Sequence, residues 1–405
     1  MSLGPVLRFL GRLLLLLALA LLAPAACAWI YGEVGAAVTF LASAAATAVA
    51  GGAMVVAGHG GGEVYRREGI LIVVGGWVLA SLFGALPYLL TGTLTSPVDA
   101  LFESASGFTT TGATVLTDIE AAGRGILFWR SLSQWLGGMG IIVLFVALLP
   151  ELGPGARFLY KLEVPGPTAQ ALRPHIRDTA SLLWRLYLAF TAAQVALLML
   201  AGLDLYDALT HTFSTLSTGG FSPRAESIAA FASPAVDLVV ILFMVLAGAN
   251  FSLYFGLRHR SGWRTVGRDP ELRAYLAILG AATVAVAAVL LASDLYDATG
   301  AGLGRALLDS LFQVTSILTT TGFATTNFET WPSFARMALV ALMFVGGCAG
   351  STAGSMKVMR MVIGLKAAWR EVRLMYSPST VISILVGKKP VPEGVVRSVA
   401  GFFIL

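Results

Sequence analysis

Charge is what this sequence is shortest of. Only 12% of its 405 residues are Asp, Glu, Lys or Arg, against roughly a quarter in ordinary soluble domains, while 57% are apolar and the mean hydropathy is +0.81. So few charges exclude a soluble globule of this size, and with it a disordered, collagenous or coiled-coil chain. Cysteine is nearly absent: Cys27 and Cys348 stand far apart in separate apolar stretches, which excludes a disulfide framework and a thiolate metal site. The four histidines, His59, His175, His211 and His259, are spread over loops and segment ends. With no HExxH and no paired intramembrane carboxylates, a membrane-embedded enzyme has no catalytic constellation to use. The net charge of +5 and pI near 9.3 come from basic residues scattered among apolar segments, so they report topology and not nucleic-acid binding.

What is present is a series of apolar runs long enough to cross a bilayer, near 8–30, 34–57, 69–92, 127–149, 181–203, 236–257, 273–293 and 334–366. Arg8 and Arg12 before Leu13 resemble a secretory signal, but Pro24 and the immediate second run favour a retained first span. Eight crossings put both ends on one side. On that side fall 22 of the 27 Lys and Arg residues, leaving Arg124, Arg130, Arg224, Arg305 and Arg336 outside, so both ends are expected in the cytoplasm. Of the 22 acidic residues 13 lie on the outer side, where a negative face concentrates cations. The 45 glycines are many for a simple bundle and imply backbone that leaves helical geometry inside the membrane, tolerable only where it lines a cavity.

After the third, fifth and seventh runs comes an outer segment too short and too polar to cross. Aligned without gaps, Asp99 to Gly112, Asp207 to Gly220 and Asp309 to Gly322 share D-x-L-x4-S-x-[FL]-[ST]-T-[TG]-G, with Ser106, Ser214 and Ser316 and then Thr110, Thr218 and Thr320 at matching offsets. The glycines are 108 and 102 residues apart, an internal repeat of span, re-entrant segment and span. The three aspartates are suited to cap a short helix of about two turns whose carboxyl end, carrying partial negative charge, points into the membrane. The chain must then return outward through Thr109-Thr110-Thr111-Gly112, Ser217-Thr218-Gly219-Gly220 and Thr319-Thr320-Thr321-Gly322. Glycine there permits consecutive carbonyl oxygens to face one axis, and carbonyls that replace a hydration shell make a cation filter. Glu103, His211 and Gln313 share one offset inside the short helices, which suits packing or vestibule lining more than catalysis.

A second feature is Gly346-Gly347-Cys348-Ala349-Gly350-Ser351-Thr352-Ala353-Gly354-Ser355, in the middle of the last long run. Four glycines in nine residues weaken a helix by up to about 1 kcal/mol each, so this stretch is expected to unwind into a loop usable as a gate, the alternative being close small-residue helix packing. Lys357 follows as an inner anchor or an electrostatic element of that gate.

These residues resemble the Trk/Ktr/HKT superfamily of cation channels, and within it the membrane subunits of bacterial Trk-type potassium uptake systems. The resemblance is carried by Arg67 to Gly92 (REGILIVVGGWVLASLFGALPYLLTG), the three filter segments, Phe128 to Leu144 (FWRSLSQWLGGMGIIVL) and Gly346 to Arg360 (GGCAGSTAGSMKVMR). It implies an all-α polytopic membrane protein with repeats arranged pseudo-fourfold around one pore. The parts would be two leading helices in 1–66, pore repeats in 67–155, 156–265 and 266–375, and the start of a fourth in 376–405. By position, the potassium ligands would be Thr110, Thr111 and Gly112, Thr218, Gly219 and Gly220, and Thr320, Thr321 and Gly322. The gate would comprise Gly346, Gly347, Gly350, Ser351, Gly354 and Lys357. The resemblance also implies potassium (K+) as the transported ion and no organic cofactor, a bacterial inner-membrane location within the lipid bilayer, a homodimer, and a cytoplasmic TrkA-type nucleotide-binding regulatory partner.

One departure matters. No fourth copy of the signature precedes Leu405, and since a three-sided pore cannot close, the sequence is expected to be a truncated form. Parallel repeats, each entering from inside, speak against the inverted repeats common in secondary transporters. Sodium permeation or cation-coupled symport within the same superfamily remains the alternative, because carbonyl ligands serve both ions.

Overall fold

Residues 3–58, 65–140, 176–256, 266–293, 295–296, 299–377, 379–387 and 389–404 are described by a computed structural model. They are helical apart from turns and one short hairpin, and divide into two units, Met1–Met244 with Thr321–Thr326, and Val245–Thr320 with Asn327–Leu405. Among the described residues, five helical stretches are long and apolar enough to cross a membrane: Leu3–Ile30, Val34–Ala57, Arg67–Leu90, Ala180–Leu200 and Pro270–Leu291. Pro234–Gly248 and Ser333–Met343 are apolar but shorter.

In the first unit, α1 (Leu3–Ala20) and α2 (Leu22–Ile30) form the first apolar stretch, followed by α3 (Val34–Ala57). α1 buries Val6, Leu10, Leu13, Leu14 and Leu17 but also exposes Leu15 and Leu19. A helix that is apolar on its exposed side as well is one solvated by lipid. α1 and α3 cross at Gly11 and Gly51. A Cβ on Gly11 would stand 2.5 Å from the Gly51 carbonyl oxygen, and one on Gly51 2.8 Å from that of Gly11. Where lipid supplies no hydrophobic drive between helices, such backbone approach is what holds them together. Next come α4 (Arg66–Gly84) and α5 (Leu86–Leu90), separated at Ala85 just before Pro87. Then follow α6 (Pro97–Phe108), α7 (Arg124–Gly138), α8 (Ile176–Leu200) and α9 (Leu205–Leu216). The expected span at 127–149 is helical as far as Gly138; the part beyond residue 140 lies outside the described residues.

α7 begins at Gly123, which has no side chain to cap it. Glu33, at the start of α3, supplies the cap instead: its Oε1 accepts from Arg124 N at 2.6 Å and its Oε2 from Gly125 N at 3.0 Å. A carboxylate there satisfies orphan amides and meets the positive end of the helix. At the same corner the Arg124 guanidinium lies 4.2 Å from the Tyr31 ring centre, and Tyr206 donates to the Arg124 carbonyl at 3.0 Å. The leading helices are thus tied to α7 and α9.

α10 (Pro234–Gly248) and α11 (Phe251–Gly256) occupy the sixth expected run, which is broken at Ala249 and Asn250. In the second unit, α12 (Pro270–Leu291), α13 (Gly300–Leu318) and α14 (Ser333–Met343) pack around Tyr275, Val286, Leu290, Val314, Leu318 and Leu339. The last expected run, 334–366, is two helices: α14 ends at Met343 and α15 (Val358–Tyr376) begins only at Val358. α15 pairs with α16 (Glu393–Ile404) over Ile363, Ile384, Val396 and Val399, beside the hairpin of β1 (Leu385–Val386) and β2 (Lys389–Pro390). Arg370 grips both Glu393 carboxylate oxygens at 2.9 Å, and this holds the Glu393 carboxyl below its usual range.

The glycine crossing is open to direct test. Gly51→Val should cost about 1–3 kcal/mol by forcing α1 from α3. Gly52→Val, whose Cβ meets nothing within 4 Å, should change little. Thermal unfolding of the detergent-solubilised protein separates the two.

Candidate functional site

The three repeated segments share one backbone solution. α6, α9 and α13 end at Phe108, Leu216 and Leu318, and the second residue after each, Thr110, Thr218 and Thr320, is left-handed with φ of 55°, 55° and 59°. The amides at these threonines turn back to Gly107, Thr215 and Ile317, each at 3.0 Å. In the first two copies the next amide closes the turn, Thr111 N to Ser106 O and Gly219 N to Ser214 O, both at 2.9 Å. This bond pair is the usual helix terminator, but its left-handed position normally takes glycine. A β-branched residue there is a conformational outlier costing about 1–3 kcal/mol. All three copies carry threonine at this strained position.

The following glycines are also left-handed, and in two copies they are locked edge to edge. A Cβ on Gly112 would collide with the carbonyl oxygen of Gly219, and one on Gly220 with that of Thr321. Each glycine therefore faces the carbonyl one position earlier in the next segment. At Gly322, the third in the series, a Cβ would meet nothing within 4 Å.

Buried polar side chains pin these reversals. Glu103 on α6 accepts from Thr114 Oγ1 at 2.9 Å and from Val115 N at 3.0 Å, so the helix holds its own returning strand. His211, at the matching place on α9, does the same: its Nδ1 lies 2.7 Å from the Asp207 carbonyl and its Nε2 3.0 Å from Ser222 Oγ. The carbonyl can only accept, so Nδ1 carries a proton and donates to it. Thr114 and Ser222 stand two residues after Gly112 and Gly220, which makes the two pairs equivalent. At Glu103 and His211 the shared polar offset thus packs against the reversal.

α7 supplies residues that sequence reasoning passed over. Arg130 donates to Glu103 Oε1 at 2.7 Å, with side-chain exposures of 1% and 0%, and its guanidinium lies 4.1 Å from the Phe221 ring centre. Gln134, one turn on, donates from Nε2 to the Gly219 carbonyl at 2.7 Å and accepts from Phe221 N at 3.1 Å. The amide brackets the second reversal and fixes the Gly219 carbonyl, one of the expected ligands. The available signal was a pair of polar residues four apart inside an apolar helix, hence on one buried face.

The aspartates need correcting. The N-caps are Ser96, Asp204 and Thr299, which accept from Asp99 N, Asp207 N and Gly302 N. Asp99 and Asp207 are the third helical residues, where a carboxylate still meets the helix dipole; Asp207 also pairs with Arg224 at 2.6 Å. Asp309 is interior, because α13 starts at Gly300 and is longer than the short helix expected; it pairs with Arg305 at 2.9 Å.

The glycine-rich stretch is non-helical from Phe344 to Lys357 and is well held. The break between α10 and α11 frees carbonyls that it uses: Cys348 N donates to Gly248 O at 2.8 Å and Thr352 N to Ala247 O at 3.3 Å. Phe251 N donates to Gly350 O at 3.0 Å, and left-handed Gly350 presses its Cα face on Asn250, with 3.0 Å between a built Cβ and Oδ1. Val358 N donates to Gly347 O at 3.0 Å. Ser351 Oγ donates to Cys348 O at 2.6 Å, and Ser355 Oγ to Met343 O at 2.7 Å, closing the bend that begins at left-handed Gly346. Gly354 N donates to Thr320 Oγ1 at 2.7 Å, which joins the stretch to the strained threonine of the third reversal. Lys357, 7% exposed, turns its ammonium back onto the Ala353 carbonyl, so it belongs to the loop. No cluster of three or more His, Cys, Asp or Glu side chains able to hold a metal occurs among the described residues.

Removing one member of the buried pair should be worse than removing both. Arg130→Met leaves the Glu103 charge unpaired and should cost about 3–5 kcal/mol, whereas Arg130→Met with Glu103→Gln should recover most of that loss. Thermal unfolding of the two variants decides this.

Residues 36–405 match the profile of the family described as TrkH, cation transport protein. The chain is 40% identical to the Trk system potassium uptake protein TrkH of Halomonas elongata over 406 residues, covering 100% of this chain and 83% of that protein. It is 40% identical to Escherichia coli TrkH over 84% of this chain and 70% of the relative, and 36% identical to Escherichia coli TrkG over 98% and 81%. Its structure is similar to the crystal structure of the potassium transporter TrkH from Vibrio parahaemolyticus, with a TM-score of 0.87 and 37% identity over 100% of this chain and 83% of that one. These relatives are named for transport and not for catalysis. With the family profile matched from the second membrane helix onward and whole-chain likeness to a solved member, this chain belongs to the TrkH family of cation transport proteins.

Proposed function

We propose that the chain is the ion-conducting membrane subunit of a Trk-type potassium uptake system in the bacterial inner membrane. Potassium passes a filter of backbone carbonyls from Thr110, Thr111 and Gly112, Thr218, Gly219 and Gly220, and Thr320, Thr321 and Gly322. The names of the relatives supply the ion and the system. The single observation that carries the filter is the repeated left-handed threonine followed by left-handed glycine at the carboxyl end of three helices. Each helix brings partial negative charge to its reversal, and a stripped cation is held by carbonyl dipoles without a fixed counter-ion.

The edge-to-edge order supports a ring. Gly112 faces Gly219, Gly220 faces Thr321, and the corresponding side of Gly322 is open. A fourth segment of the same kind, set against Gly322, completes a pseudo-fourfold pore built from repeats of span, pore helix and span. The Gly346–Ser355 stretch with Lys357 is the gate. Its link through Gly354 to Thr320 supports an effect of gate position on the third reversal. A homodimer docked to a cytoplasmic TrkA-type nucleotide-binding subunit is the assembly.

Two measurements on the protein in liposomes test this. Gly112→Ser or Gly220→Ser puts a Cβ into a neighbouring carbonyl and should lower the potassium-to-sodium permeability ratio by about tenfold or more; unchanged ratios in both sink the filter assignment. Deleting Gly350 to Gly354 should raise potassium flux by removing the obstruction, and unchanged flux sinks the gate.

A further inference from the structure

Glu271 is a buried carboxylate that neither filter nor gate, as proposed, requires. It is the second residue of α12, whose start is capped by Asp269 accepting from Leu272 N at 2.8 Å. Its residue exposure is 5%, and one oxygen, Oε1, accepts twice: from Ala349 N at 2.7 Å and from Met359 N at 3.2 Å. Ala349 lies in the glycine-rich stretch, whereas Met359 is in the first turn of α15. The anion therefore sits between the amino ends of two helices, and both dipoles favour it. Lys357 adds an opposite charge that acts on Glu271 from within the loop.

We infer that Glu271 is the positioning residue that latches the glycine-rich stretch shut, its Oε1 clasping the Ala349 amide while the start of α15 holds the carboxylate in place. The inference rests on the gating role proposed above. The two bonds differ in what they hold. The Met359 amide is one of the orphan donors of a regular helix and needs an acceptor whatever the loop does. The Ala349 amide belongs to irregular backbone and can exchange the carboxylate for water once the stretch swings away. Opening thus breaks one charge-assisted hydrogen bond and leaves the other, so the latch releases without stranding a buried charge. Other loop bonds, from Cys348 and Thr352 to the α10 carbonyls, are neutral and weaker one by one.

The test uses the full chain in liposomes in a Cys27→Ser background, so that the buried Cys348 beside Ala349 is the single thiol and reports loop exposure. Potassium flux and the rate of Cys348 modification by a small polar methanethiosulfonate are read together. Glu271→Ala should raise both by about tenfold or more, and the isosteric Glu271→Gln, which keeps a neutral acceptor, by about fivefold. A merely structural glutamate would lower flux on removal, so the direction of change separates the roles. If Glu271→Gln leaves Cys348 modification unchanged, or flux falls in both variants, the latch is overturned. If modification accelerates in the Glu271 variants while flux stays constant both there and on deleting Gly350 to Gly354, the latch stands and the gate reading fails; flux that rises on that deletion while neither flux nor modification rises in the Glu271 variants does the reverse.

Discussion

Backbone that leaves helical geometry inside a hydrocarbon layer must find every hydrogen bond within the protein, and this requirement organises the whole site. The three reversals fold their first amides back onto the preceding helix, and the first two place later ones on side chains of α6 and α7. The glycine-rich stretch meets the requirement with the carbonyls freed where α10 breaks from α11 and with the oxygens of Glu271 and Thr320. Interruption of one helix thus supplies the acceptors that interruption of another needs. The polar residues inside otherwise apolar segments follow from the same demand and are not scattered exceptions to it.

Strain and support are distributed in a consistent way. Threonine at a left-handed helix terminus is unfavourable, and it persists because the surroundings over-determine it. Glu103 and His211 clamp the outgoing strand on one side of the first two turns, and Gln134 brackets the second on the other. Beyond the turns, glycines allow adjacent segments to approach so closely that no side chain fits between them. The rigidity of these reversals comes from this crowding and from short hydrogen bonds, since a few strained turns alone would relax.

Much of this could be read in the sequence, but unevenly. Apolar run length located the helices, and repetition located the reversals, because both are local properties: a span needs consecutive apolar residues, and Thr-x-Gly at equal offsets needs only alignment. The unwinding between Met343 and Val358 was legible for the same reason, from glycine density. What escaped was whatever depended on partners distant in the chain. Ser96 and Asp204 cap where Asp99 and Asp207 were expected to, because a carboxylate three residues into a helix and one just before it look alike in sequence. α13 begins ten residues earlier than the repeat suggested, since Thr299 offered an earlier cap than the motif's Asp309. Nothing near Glu271 announces that its acceptor role lies some eighty residues away, at Ala349 and Met359. Gln134 and Arg130 show a polar face but not what it touches.

The pairing of Arg130 with Glu103 has an electrostatic consequence for anything positive that approaches the reversals. A lone guanidinium stacked on Phe221, bonded to the Ser222 carbonyl at 3.4 Å and shielded from water, would act as a monopole whose repulsion falls only with the first power of distance. Joined to a carboxylate at 2.7 Å it becomes a compact dipole, whose field decays a power faster. Its donors can therefore brace the backbone without raising an electrical barrier beside it.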